Sequence, residues 1–190
     1  MRSTSRLALF LVGLAVVALT LAAIRQPVVD HSALTLRANE GRVYHEGTPF
    51  SGVSVRYEDG TLVERTEYVA GKKDGLAELW TEDGTRSYRA SYSANRRDGT
   101  VQMWWPNGTL RSEATYTDGV VDGVQRQWYR SGARFKELNI VDGQEAGLQR
   151  AWRENGDLYT NYEARDGRIY GLKRANLCFE LDDEQIVSNL

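Results

Sequence analysis

The sequence predicts an all-β fold, a single-layer antiparallel β-hairpin repeat preceded by a hydrophobic N-terminal helix. Three observations lead there. Gly52, Gly75, Gly99, Gly123, Gly147 and Gly171 fall at spacings of 23, 24, 24, 24 and 24 residues. Gly60, Gly84, Gly108, Gly132 and Gly156 follow the first set by eight or nine residues, and Gly71, Gly119, Gly143 and Gly167 precede the next unit by four. Asn95 fills the vacant slot of the third set, and Asn is the other residue that tolerates positive φ. An aromatic residue (Tyr57, Trp80, Trp104, Trp128, Trp152) stands five residues after each of the first five leading glycines, and Asn176 takes the place after Gly171. Self-similarity at a fixed period of this length marks a stacked repeat.

The N-terminal segment comes first in chain order. Leu7 to Ile24 carry no charge and are flanked by Arg2, Arg6 and Arg25. As a helix these residues would span about 27 Å, close to the thickness of a hydrocarbon core. Residues 1–25 therefore read either as an uncleaved signal-anchor or as a signal peptide cut near Ala22. In both readings Arg2 and Arg6 stay on the cytoplasmic side and the rest of the chain is exported. The expected location is the cell envelope: anchored in the inner membrane with the repeats outside the cytoplasm, or periplasmic or secreted after cleavage. Residues 26–40 have no clear period and read as a tether.

Residues 41–171 hold the repeats. In each, a strand-like run such as Gly75–Trp80 meets a tip of Asp83-Gly84 and returns through Thr85–Ser93. Asp-Gly and Asn-Gly between such runs are strong hairpin signals, and they predict type I′ turns at the tips. Short links such as Gly71–Gly75 force consecutive strands to be adjacent and antiparallel. Five repeats at ~4.8 Å per strand form a strip about 50 Å long. Alternation puts the +1, +3 and +5 positions of each unit on one face (Leu76, Glu78, Trp80). The +17 positions Tyr92, Tyr116 and Ile140 are expected to pack against the Trp column there. That column reads as a structural ladder or, alternatively, as a stacking platform for a ligand. Residues 172–190 depart from the pattern and read as a capping strand and tail.

The pattern G-x4-[YW]-x3-G, met at Gly75/Trp80/Gly84, Gly99/Trp104/Gly108, Gly123/Trp128/Gly132 and Gly147/Trp152/Gly156, resembles MORN-type repeats. The bacterial variant it is most similar to is the YwqK-like antitoxin family, and Gly47–Gly52 resembles the opening unit of such arrays. The resemblance covers roughly Arg42 to Gly171. It implies a hairpin solenoid, and a role in membrane association, scaffolding or partner binding. An antitoxin role in an exported chain would imply a target in the envelope or arriving from outside.

Chemistry-bearing residues are few. The 24 Lys and Arg against 26 Asp and Glu provide no global positive field, so nucleic acid is not an expected partner. One Cys and two His leave little for a metal site, and no cofactor is expected. No phosphate-binding loop or Gly-x-Ser-x-Gly elbow is present, and no carboxylate pair stands out, so no catalytic residue is assigned. Cys178 reads as a buried cysteine of the capping strand or as an exposed thiol open to exchange. Asp182, Asp183 and Glu184 beside it disfavour a thiolate. Arg126, Arg150 and Arg174 occupy the +3 position of successive units next to Trp128 and Trp152. They form either a solubilising cation–π ladder or a basic patch for a protein partner, anionic lipid or acidic glycan. The expected function is a non-enzymatic exported module that binds or scaffolds a protein or envelope component. Immunity against an envelope-acting toxin is the runner-up, and an enzyme using carboxylates or Cys178 the outlying alternative.

Overall fold

The computed structural model describes residues 26–172. The expected N-terminal helix, the cleavage site, Arg174, Cys178 and the capping strand lie outside the described residues. Among those that are described, no helix is long and apolar enough to cross a membrane. The structure is nearly all β, with one 3-10 turn at His31–Ala33.

The repeats form consecutive hairpins: β5 (Gly52–Glu58) with β6 (Thr61–Val69), β7 (Lys72–Trp80) with β8 (Arg86–Ser93), and β9 (Arg96–Trp104) with β10 (Leu110–Thr117). The next are β12 (Gly123–Trp128) with β13 (Arg134–Val141) and β15 (Gly147–Trp152) with β16 (Leu158–Arg165). Each is antiparallel to its sequence neighbour, as the short links require, and β17 (Arg168–Leu172) ends the described sheet. The short segments β11 (Val120–Val121) and β14 (Gln144–Glu145) pair back onto β10 and β13.

The type I′ geometry expected at the tips is found mainly at the links, for which the sequence indicated only short turns. Type I′ geometry, with positive φ at both central residues, occurs at the links: Ala70-Gly71, Ala94-Asn95, Asp118-Gly119, Asp142-Gly143 and Asp166-Gly167. Of the tips, only Asp59-Gly60 has it. The others are three-residue loops. Thr81 N–H bonds Thr85 O and Gly84 N–H bonds Thr81 O, with only the Gly at positive φ. This is a type I turn closed by a Gly bulge. The Asx side chain explains the choice: Asp83, Asn107 and Asn155 each accept from the N–H two residues on, which favours a right-handed conformation before the Gly.

The leading glycines lie within strands rather than in turns. Gly75 has φ 101° and sits in a bulge opposite Glu67, whose carboxylate accepts from Leu76 N–H. A Cβ at Gly75 would overlap that carboxylate. The bulge and the three-residue tip together shift the register. Ala77 therefore pairs with Ala90, and Gly75 with Tyr92. The +17 residues accordingly lie on the face opposite Leu76 and Glu78, which corrects the expected packing of Tyr92, Tyr116 and Ile140 against the Trp column.

The face bearing Tyr92 carries the core. A cross-strand row of Ser54, Thr66, Ala77, Ala90, Val101 and Ala114 runs along it, each 0 to 6% exposed. Small side chains in this row are shielded by larger ones two residues along the same strand, such as Tyr88, Tyr92 and Tyr116. In the fifth hairpin Gln149 is fully buried, its amide bonded to the N–H and C=O of Asn139.

The segment expected as a tether is packed. β1 (Val28–Asp30) runs parallel to β5 and pairs with its edge. A small sheet of β2 (Thr35–Arg37), β3 (Arg42–His45) and β4 (Thr48–Pro49) docks at the same end. Val43 N–H bonds Gly71 O, Gly71 N–H bonds Phe50 O, and the Phe50 ring lies 6.0 Å from that of Tyr68. A single layer thus describes the later repeats, while the first is covered by this second sheet. Tyr68 is 5% exposed, and a lone sheet would leave it open to water on one side.

Candidate binding face

The face opposite the core carries two parallel rows, one of aromatic and one of charged and polar side chains. The outer row runs beside the hairpin tips. Register pairs Tyr57 with Leu62, Trp80 with Arg86, Trp104 with Leu110, Trp128 with Arg134 and Trp152 with Leu158. Arg86 has its guanidinium carbon 5.9 Å from the Trp80 ring and 5.6 Å from the Trp104 ring, so one cation serves two indoles. Arg150 stands 5.6 Å from the Trp152 ring. The return-strand residues opposite the Trp column are Arg and Leu, not the +17 Tyr and Ile expected there.

The inner row is a chain of charge. Arg65, Glu78, Arg89, Gln102, Glu113, Arg126, Glu137, Arg150 and Asn161 lie directly opposite one another on successive strands. Glu78, 9% exposed, is ringed by Arg86 at 3.3 Å, Arg65 at 3.8 Å and Arg89 at 3.9 Å. Gln102 donates to Glu113 at 2.8 Å. Glu137 pairs with Arg126 at 3.4 Å and Arg150 at 2.5 Å.

The structure thus brings Arg126, Arg150, Trp128 and Trp152 together. It also inserts Glu137 between the two arginines, so the column is less basic than its +3 spacing suggested. Arg126, Trp128, Arg134, Glu137 and Trp152 line a shallow cleft of about 110 Å3. Beside the cleft, Arg150 Nε is buried without a hydrogen-bond partner among the described residues, although Arg150 does not itself line the cleft. Two half-buried indoles flanked by three guanidiniums and one carboxylate can stack on planar or apolar groups and hold an anion. Among the described residues no group of three or more His, Cys, Asp or Glu is placed to hold a metal.

The inner row was missed by sequence reasoning because its members alternate between outgoing and returning strands. Reading the +3 residue of each unit against the +14 residue pairs Glu78 with Arg89, Gln102 with Glu113, and Arg126 with Glu137, and would have revealed it. Between repeats, position +6 acts as a staple. Trp105 Nε1 donates to Trp128 O at 3.0 Å, and Tyr129 Oη to Trp152 O at 2.8 Å.

Residues 97–118, which form the hairpin of β9 and β10, match the model of a MORN repeat variant. No curated protein matches the chain. The matched hairpin shares its register, tip geometry and Trp position with the hairpins on either side of it.

Proposed function

We propose that this MORN-type repeat chain is a non-enzymatic binding or scaffold module, held in or exported to the cell envelope by its apolar N-terminal run. The observation that supports this reading is the outer row, in which indoles recur every second strand, about 10 Å apart, with Arg or Leu between them. Such a row suits an extended partner that offers apolar surface at intervals together with negative charge. The partner is a protein or an envelope lipid or glycan, engaged first at Arg126, Trp128, Arg150 and Trp152. The charges of Arg2 and Arg6 and the uncharged run Leu7–Ile24 support export, with the repeats outside the cytoplasm.

Affinity capture from envelope extracts with the full chain tests the reading. A saturable partner that is lost with Trp128→Ala and Arg150→Ala is the expected result. Equal capture by the wild type and by folded double variants would exclude this face. The G-x4-[YW]-x3-G pattern also favours a second reading, a YwqK-like antitoxin acting on an envelope toxin. In that case the captured partner would be a protein whose toxicity the chain suppresses.

A further inference from the structure

On the opposite face of the sheet, a cavity of about 470 Å3 lies between the small N-terminal sheet and the first repeats. Its walls are of two kinds. Leu34, Leu36 and Val43 form an apolar side, whereas Glu64, Lys73 and Tyr92 present polar groups from the main sheet. Glu64 and Tyr68 share one face of β6, and Lys73 is the cross-strand partner of Tyr68. Four residues at ~3.3 Å each put the carboxylate and ammonium positions about 13 Å apart along the strand, before their side chains lean inward.

The charges at the two ends are not spent on each other. Lys73 makes no ion pair among the described residues; its ammonium lies 5.5 Å from the Tyr92 ring centroid. Glu64 receives one long contact, 3.4 Å, from Arg56 Nε, which leaves acceptor capacity on both oxygens. Between them lies Thr66, with His31 held above by its bond to Ser54 Oγ. A cavity at the junction of two layers, mainly apolar on one side with a few convergent polar groups, is the usual form of a small-ligand site.

We propose that this cavity binds a short zwitterionic peptide with apolar side chains, its carboxylate on Lys73 and its ammonium on Glu64. Two or three extended residues, about 7–11 Å, bridge the two charges once the long Glu64 and Lys73 side chains lean toward each other over the rest of the separation. The side chains of the peptide rest on Leu34, Leu36 and Val43. A free amino acid is too short to meet both charges, and a long peptide would have its termini outside the cavity. The site stands apart from the Trp and Arg rows, so its occupancy is independent of the partner assigned to them.

Calorimetric titration of the full chain in detergent with leucyl-leucine, its N-acetyl derivative and its C-terminal amide tests this. The free dipeptide should bind about tenfold or more tightly than either blocked form, since each loses one charge-assisted contact. Lys73→Met should weaken the free dipeptide and leave the amide unchanged, and Glu64→Gln should do the same for the N-acetyl form. Thermal melts of both variants establish that the sheet is intact. Equal affinity for all three probes, no binding of the dipeptide, or a variant that weakens every probe alike would overturn the assignment.

Discussion

The indole N–H of Trp105 reaches across to the backbone carbonyl of Trp128, 23 residues ahead, at 3.0 Å. Tyr129 repeats the contact one unit later, its hydroxyl donating to Trp152 O at 2.8 Å. Both carbonyls lie where β12 and β15 run into their tips, at a register shift in the ladder. The side chain of one hairpin therefore satisfies a backbone group of the next. Trp105→Phe and Tyr129→Phe should each cost about 1 kcal/mol, the net worth of one such bond. Hydrogen exchange should locate the loss at the tips of the hairpin ahead. Uniform acceleration across the sheet would contradict a local staple.

Glu137 is shared by Arg126 and Arg150. Glu137→Gln leaves two guanidiniums facing one neutral amide. Stability should fall by about 1 kcal/mol, after allowance for arginines that remain more than a third exposed. The fall should shrink as salt is raised. If the proposed face takes an anionic partner, the same variant should bind it more tightly. Weaker binding would mean that Glu137 itself meets the partner.

Burial, then the hydrogen bond to Glu145, pushes the Tyr162 hydroxyl up to about 12. The folded value lies above the ordinary tyrosine value of ~10, so the fold favours the protonated phenol. That stabilisation is complete below pH 10 and is lost as pH rises through about 12. Alkaline unfolding should steepen in this window. Tyr162→Phe should flatten that part of the profile, as read from melting temperature against pH. An unchanged profile would show that Tyr162 does not control it.

Gly75 and Gly84 both have positive φ but differ in their surroundings. At Gly84 a Cβ would meet nothing within 4 Å, whereas at Gly75 it overlaps the Glu67 carboxylate that holds Leu76 N–H. Gly84→Ala should cost about 1 kcal/mol for the left-handed backbone alone. Gly75→Ala should cost roughly 1 kcal/mol more, because a half-buried backbone donor loses its acceptor as well. Equal melting-temperature shifts for the two would contradict the bulge.

The glycine register made the hairpins, their order and their antiparallel pairing legible in the sequence. The turn types were not, because Asp-Gly reads alike at Asp83 and at Asp118. The difference lies in whether the Asp side chain bonds forward to the backbone, as Asp83 does to Thr85. The face of Tyr92 was misjudged for a related reason. Alternation holds along a strand, but one three-residue loop and one bulge reverse it on the return. The Arg and Trp residues of the site were visible as a column, while Glu137 between them was not, since its place depends on that return register. The packing of β1 and the small sheet leaves no period to read, being set by contacts between Val43, Phe50, Tyr68 and Gly71.

Hairpins of nearly equal shape could in principle stack in the wrong order, each glycine bulge accepting any neighbour. The row from Arg65 to Asn161 gives some of them an address. If the third hairpin were skipped and β8 met β12, Arg89 would face Arg126 in place of Gln102. If the fourth were skipped and β10 met β15, Glu113 would face Arg150, an acceptable pair. Like charges directly opposite are penalised, so the first error is discouraged by sequence and the second is not. Shape makes these hairpins interchangeable, and charge restores their order in only part of the row: without the second, Arg65 would face Gln102 just as Arg89 does. The second and fourth units can each be dropped without an electrostatic protest from their neighbours.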